Sequence, residues 1–274
     1  MPHPLFPNID AEEVLIGQGA FVHPTAVIRG LTGTARRVVI GDHTYIGEQV
    51  QIIVDEFSVG DYTKIHHHTN IHGYKPCHIG HNNWIGQYNI IDSIGGTRLG
   101  NNVCVSAQCQ LWAHMKFGDL LEGCRFYNEN PLSIGDDVYF GGNCIVSPIT
   151  AADRSMALGG SVVTKDMAYN TIYAGCPAKE MTEKLGYQFA EVPLAAKMEA
   201  LCQHLAESGI AAATLRLVEG PDDVKDDGLS YFIVSQRQYT KRGTEAEIAF
   251  MKYLLPEKAK FVPTLGTNIL TPIK

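Results

Sequence analysis

The chain has no stretch approaching the roughly 18 consecutive apolar residues that a membrane-spanning helix requires. Its first residues, Met1 to Asp10, also lack a basic region followed by an apolar core. Both absences argue against membrane insertion and against a secretory leader, and make a cytoplasmic protein the expectation. Positive charge is in deficit. With 22 basic and 29 acidic residues the net charge is −7, which disfavours a broad basic face for nucleic acid but leaves room for a local basic pocket around a phosphorylated ligand. No Cys-x-x-Cys pair occurs among the seven cysteines, so they read as reduced structural thiols. Disorder is excluded by a hydrophobic content of 45%.

Also missing, between Val59 and Val146, are the two commonest hydrophobic periods. A helix buries every third or fourth residue and a half-exposed strand every second. Here an aliphatic residue, often followed by glycine, returns almost every sixth position. Ile79-Gly80, Ile85-Gly86 and Ile91-Asp92 form one set of three, and Leu99-Gly100, Val105-Ser106 and Leu111-Trp112 the next. Ile134-Gly135, Phe140-Gly141 and Val146-Ser147 follow after an interruption. A period of six is that of a parallel β-helix, in which three short strands close one triangular coil of about eighteen residues and coils stack at roughly 4.8 Å. The aliphatic residue points inward, the next sits at a tight corner, and the fifth must be small. Val103, Cys109, Val138 and Cys144 occupy that fifth slot.

Taken in order, residues 1–20 read as an N-terminal cap, with Asp10 to Glu13 starting one helical turn. Residues 21–185 carry the coils. Counting sixes places Ile71, Ile91 and Leu111 on one face of successive coils, so that His72, Asp92 and Trp112 stack along one corner with His114 two residues beyond. From Ala113 to Pro131 the rhythm falters, as an extruded loop would make it. Residues 186–274 form a small α/β domain, with helices from Val192 to about Gly209 and from Thr244 to Leu255, and strands at Ala213 to Val218 and Leu229 to Ser235. This domain reads either as a clamp or end cap, or as a wall for substrate.

Three runs carry a resemblance to a known family. Ile134-Gly135-Asp136-Asp137-Val138-Tyr139-Phe140-Gly141-Gly142, Gly160-Ser161-Val162-Val163-Thr164-Lys165-Asp166 and Ala174-Gly175-Cys176-Pro177-Ala178-Lys179 resemble the corresponding segments of the hexapeptide-repeat acyltransferases, in particular the maltose and galactoside acetyltransferases. The resemblance implies a mainly β fold, a left-handed parallel β-helix, assembled as a homotrimer with sites at the subunit interfaces and using acetyl-CoA or a longer acyl-CoA as co-substrate. It implies a catalytic base at His114, within Gln110-Leu111-Trp112-Ala113-His114, and a groove for the acyl-CoA along Tyr139, Gly141, Gly142, Gly160, Thr164, Lys165 and Lys179. A narrower similarity, on Gly73-Tyr74-Lys75-Pro76-Cys77, Trp84-Ile85-Gly86-Gln87 and the segment Gln110 to Phe126, is to N-acyltransferases that act on nucleotide-linked amino-deoxysugars, dTDP- or GDP-linked, for lipopolysaccharide and O-antigen synthesis.

Acyl transfer from a thioester needs an unprotonated nucleophile and a group to take its proton, and an imidazole titrates near neutrality. Glu122 is the expected orienter of His114. Asp92 has two readings: it holds the sugar ammonium, or it caps its own backbone turn. Trp84, Trp112, Tyr74 and Tyr127 offer faces on which a base can stack, Arg125 and Lys75 offer cations for a diphosphate, and His72 shares the corner. Three other classes compete with the N-acyltransferase: an O-acetyltransferase of the same fold, a gamma-class carbonic anhydrase-like zinc enzyme suggested by His66-His67-His68 with His72, and a non-catalytic trimeric scaffold. Zinc needs three converging ligands, and within one chain the spacing sends these histidines to different corners, so no metal is expected.

Overall fold

The computed structural model describes residues 2–3 and 6–264. It shows a mainly β chain, a left-handed parallel β-helix followed by a small α/β unit. The last ten residues assigned from sequence to the C-terminal domain lie outside the described residues.

Each coil contributes one strand to each of three faces. The first face runs through Val27–Arg29, Gln51–Ile53, Asn70–His72, Ile90–Asp92, Gln110–Leu111, Ile145–Val146 and Val162–Val163, all parallel. A second runs from Ala35–Ile40 to Thr150–Ala151, and the third from Phe21–Val22 to Ile172–Ala174. Inward aliphatic residues pair with their own kind: Ile71 lies opposite Ile91 and Ile91 opposite Leu111, each fully buried. Burying one such side chain contributes about 1.5–3 kcal/mol, and because no coil buries its face alone the contribution depends on stacking. The longer steps from Ile71 to Ile79 and Ile91 to Leu99 are corner bends, as the spacing predicts. After Ala152 the register holds, since Ala151 still pairs with Ile134 and Val163 with Val146.

The corners divide two demands between two positions. Left-handed backbone falls at the fourth position of a unit, for example Asn82 (φ 58°), Asn102 (φ 61°) and Asn143 (φ 62°), and not at the glycine after the aliphatic residue. That glycine answers to close approach instead: a Cβ on Gly80 would lie 2.5 Å from the carbonyl oxygen of Gly100 in the next coil. The fifth slot is small and also donates. Thr69 Oγ1 reaches the Gly86 carbonyl at 2.9 Å, and the thiols of Cys109 and Cys144 reach the carbonyls of Gly141 at 3.1 Å and Leu158 at 3.3 Å. These cysteines thus occupy hydrogen-bonding positions in the wall.

Residues 10–13 do not form a helical turn. They lie within the strand Phe6–Ile16, which pairs with Val27–Arg29 through Ile9 and Asp10, then turns and pairs with Ala35–Ile40 from Ala11 to Ile16. Burial of Ile9, Ala11, Leu15 and Ile16 outweighs the local preference of the acidic residues for a helix start.

The second compact unit begins at Ala190. Its four-stranded sheet has the order Leu215–Val218, Ser230–Ile233, Gln238–Tyr239, Val262–Pro263, and its helices are Leu194–Glu207 and Glu245–Leu254. Thr244 caps the second helix by accepting from the Glu247 N–H. Phe232, Tyr239, Phe250 and Phe261 form its aromatic core.

Candidate functional site

Where the first face turns into the second, the outer positions of successive coils are His72, Asp92 and Trp112, as counting sixes anticipates. His72 is directly opposite Asp92, and Trp112 donates from its backbone to the Val146 carbonyl of the following coil. Asp92 is fully buried. Its Oδ2 accepts from the Ala113 N–H at 2.8 Å and meets His114 Nδ1 at 2.6 Å, and its Oδ1 accepts from the Ile94 N–H at 3.2 Å. A carboxylate oxygen accepting from Nδ1 fixes the imidazole tautomer that leaves Nε2 as proton acceptor. The His114 side chain is 20% exposed, so the ring is sheltered yet reachable. Trp112 stands edge-on to it, with ring centroids 6.0 Å apart.

The partner of His114 is therefore Asp92, and not Glu122. Glu122 is exposed on the extruded segment, where its N–H donates to Asp119 Oδ1 at 3.3 Å. The backbone-capping reading of Asp92 also holds, through Ile94; one carboxylate does both. The pairing was open to discovery in the spacing, because 22 residues separate the two, one coil plus two.

The extruded segment leaves the coil at Ala113 and rejoins it at Leu132, which pairs with Thr97. It is an arm whose strands Met115–Lys116 and Tyr127–Asn128 pair antiparallel. At its base the Lys116 ammonium bonds Glu129 and lies 5.6 Å from the Tyr74 ring and 5.8 Å from the Tyr127 ring. That bond raises the Lys116 pKa and lowers that of Glu129, so both stay charged. Phe117, Leu121 and Phe126 project from the arm at 103%, 92% and 75% exposure. Arg125 is exposed on the same arm.

Tyr74 and Lys75 continue from His72 into a polar recess of about 380 Å³ shared with Glu12, Arg36, Asp55 and Glu56. Arg36 pairs with Glu56, and Asp55 accepts from the Leu31 N–H. Lys75 makes no ion pair within 4.0 Å among the described residues, though its charge acts on Glu129, and it is a cation of the recess lining. The walls from Glu12 and Arg36 escape sequence reasoning because Glu12 falls in the segment read as an N-terminal cap and Arg36 lies outside the regular repeat of Val59 to Val146.

Other candidates separate from this corner. Trp84 lies on the third face with Lys64 5.4 Å above its ring, in the same outer column as Cys104 and Tyr139. Gly141, Gly142 and Gly160 follow at the next corner, where the Gly160 N–H donates to the Gly142 carbonyl at 2.8 Å. Thr164 and Lys165 lie exposed after Val163, beyond Trp112 and Ser147 on the His114 corner, while Lys179 lies on a strand added to the third face. Two corners of one prism are separated by a full face, on the order of 15 Å. His66 packs on Tyr45 and Trp84, and His67 and His68 on Tyr88; among the described residues no three potential ligands gather around a metal position.

No family model matches the chain. It is similar to the galactoside O-acetyltransferase of Escherichia coli K12, 32% identical over 111 residues that make up 39% of this chain and 53% of that protein. It is also similar to the bifunctional protein GlmU of Listeria welshimeri, 25% identical over 199 residues, 64% of this chain and 40% of that one. The chain thus spans about half or less of the curated relatives it matches. Among solved structures, a maltose O-acetyltransferase from Clostridium difficile aligns over 64% of this chain and 68% of its own, at 20% identity and a TM-score of 0.33. A variant of AntD, an N-acyltransferase from Bacillus cereus in complex with dTDP-4-amino-4,6-dideoxyglucose and coenzyme A, aligns over 72% and 92%, at 13% identity and a TM-score of 0.40.

Proposed function

We propose that this protein transfers an acyl group from acyl-CoA to the amino group of a nucleotide-linked amino-deoxysugar, dTDP- or GDP-linked, destined for surface polysaccharide. The observation that carries the reading is the buried Asp92 bonded at 2.6 Å to a reachable imidazole, beside a recess containing an aromatic ring and a lysine. The acceptor nitrogen attacks the thioester carbonyl carbon, forming the C–N bond while the carbonyl electron pair moves to oxygen. His114 Nε2 takes the proton the nitrogen sheds. The carbonyl then re-forms, the C–S bond breaks, and the thiolate leaves with its electron pair and receives that proton from Nε2. Asp92 holds the imidazolium through Nδ1. Tyr74 supports the base of the nucleotide and Lys75 its diphosphate.

Tyr139, Gly141, Gly142 and Gly160 occupy a different corner from His114, so one chain does not bring an acyl donor on that groove to its own imidazole. A homotrimer, in which the groove of one copy faces His114 of the next, resolves this, and the exposed Phe117, Leu121 and Phe126 of the arm are suited to burial against a neighbour.

The test is a panel of acyl-CoAs with nucleotide amino sugars, followed by free-thiol release and by mass measurement in solution. Thiol release that depends on the amino sugar supports the reading; its absence across the panel overturns it. The similarity to a galactoside O-acetyltransferase favours one second reading, transfer to a sugar hydroxyl. A hydroxyl depends more heavily on a base than an amine does, so release seen only with unsubstituted sugars, and abolished in His114→Asn, selects it.

A further inference from the structure

Asp92 is flanked by two imidazoles. On the other carboxylate oxygen, the Nε2 of His72 lies 3.9 Å from Oδ1, whose hydrogen bond among the described residues is the 3.2 Å one from the Ile94 N–H. The other ring nitrogen of His72, Nδ1, lies 3.1 Å from Asn70 Oδ1. That amide is oriented in turn, since Asn70 Nδ2 donates to Gln51 Oε1 at 3.4 Å. Both nitrogens of His72 therefore face acceptors, Asn70 Oδ1 within hydrogen-bond distance and Asp92 Oδ1 just beyond it. The remaining neighbour in the preceding coil is Ile53, which is uncharged. Of the other titratable groups, the Cys77 thiol is pushed up to about 12 by burial and by the Asp92 charge, and the Lys116 ammonium is held by Glu129.

We infer that His72 is a positioning residue: acting through the carboxylate it shares with His114, it steadies Asp92 and sets the basicity of the catalytic imidazole. A proton on His72 engages part of the Asp92 charge, which then supports a second proton on His114 less well. Two imidazoles bridged by one buried carboxylate titrate as a pair. This rests on the reading of His114 as the base, but the coupling itself is measurable without any substrate.

The experiment is an NMR titration of the His72 and His114 imidazoles in the full chain, in the unaltered protein and in His72→Phe, His72→Gln and His114→Asn. Removing the competing cation moves the His114 titration to higher pH by about half a pH unit in His72→Phe and in His72→Gln. By reciprocity, His114→Asn moves the His72 titration in the same direction by a similar amount. In turnover, the acidic limb of kcat/KM follows the shift, kcat falls about fivefold in His72→Phe, and His72→Gln, which keeps a donor for Oδ1, recovers most of the loss. Identical His114 titrations with and without His72 overturn the inference. So does a rise in acceptor KM with kcat and the pH profile unchanged, which would make His72 a direct substrate contact. Coupled titrations in a protein that transfers no acyl group would sink the proposed function and leave the coupling standing.

Discussion

Two corners of the same prism are built by opposite means. At the corner of Asp92 and His114, side chains have been added: a buried carboxylate, two imidazoles and an indole on consecutive coils, with an arm inserted beside them. At the corner of Gly141, Gly142 and Gly160 side chains have been removed, and the backbone itself is the surface. The glycines there are not equivalent. A Cβ on Gly141 would lie 2.5 Å from the Gly159 nitrogen, so the stacking of coils demands glycine. A Cβ on Gly142 would have only ordinary contact, 3.4 Å from the Ala107 carbonyl oxygen. The stacking of coils demands glycine at 141 and does not demand it at 142. One repeat thus builds a corner crowded with polar side chains and a corner of bare backbone through what its positions carry or omit.

The contrast breaks first at the loaded corner. His114→Asn is expected to lower kcat about a hundredfold with little change in the KM for acyl-CoA, in a protein of unchanged circular dichroism. Unchanged turnover would move the base role to Asp92 or to the substrate amine. Asp92→Asn keeps the size of the side chain but not its charge, and is expected to cost about tenfold in kcat as the imidazolium loses its counter-ion. The bare corner is sharpened by a pair of variants. Gly142→Val raises the KM for acyl-CoA about tenfold and leaves the melting temperature nearly in place, whereas Gly141→Val destabilises the fold by about 1–3 kcal/mol in denaturant titration. Equal melting temperatures for the two would remove the distinction between them.

The smallest effect concerns pH. Burial lowers the pKa of His66 below its ordinary 6.5, helped by the nearby Lys64, and lowers that of His78, helped by Arg98. Since the folded value lies below the unfolded one, the unfolded chain binds more protons on acidification. Stability from these groups is therefore intact above pH 6.5 and declines as pH falls through that value. His66→Gln should flatten the fall in melting temperature between about pH 6.5 and 5. A steeper fall would reverse the sign.

Most of the prism was legible because its hydrophobic code is strict: Ile71, Ile91 and Leu111 are both a spacing in the chain and a stack in space. What escaped reading depends on tertiary context. The acidic residues of the strand Phe6–Ile16 look locally like a helix start, and only the pairing of Ala11 to Ile16 with Ala35–Ile40 makes them strand. The six-residue count put Asp92 and Trp112 on one rung column, but whether His114 turns back towards Asp92 or out towards Glu122 is decided by the chain's exit into the arm. Trp84 and Tyr74 are equivalent aromatic candidates by residue type; ten residues of chain place Trp84 on the third face and Tyr74 in the corner bend after His72. In the second unit both helices and two strands were readable, whereas the two-residue strands Gln238–Tyr239 and Val262–Pro263 are too short to show a period.

The arm departs at Ala113 and returns at Leu132, yet Leu99 and Ile134 pair directly beneath it as if nothing had been inserted. Its length and composition are consequently decoupled from the stacking of the coils. Lengthening, trimming or exchanging it changes the surroundings of the imidazole without unzipping a single rung, so the insert is free to vary while the contact of His114 with Asp92 stays in place.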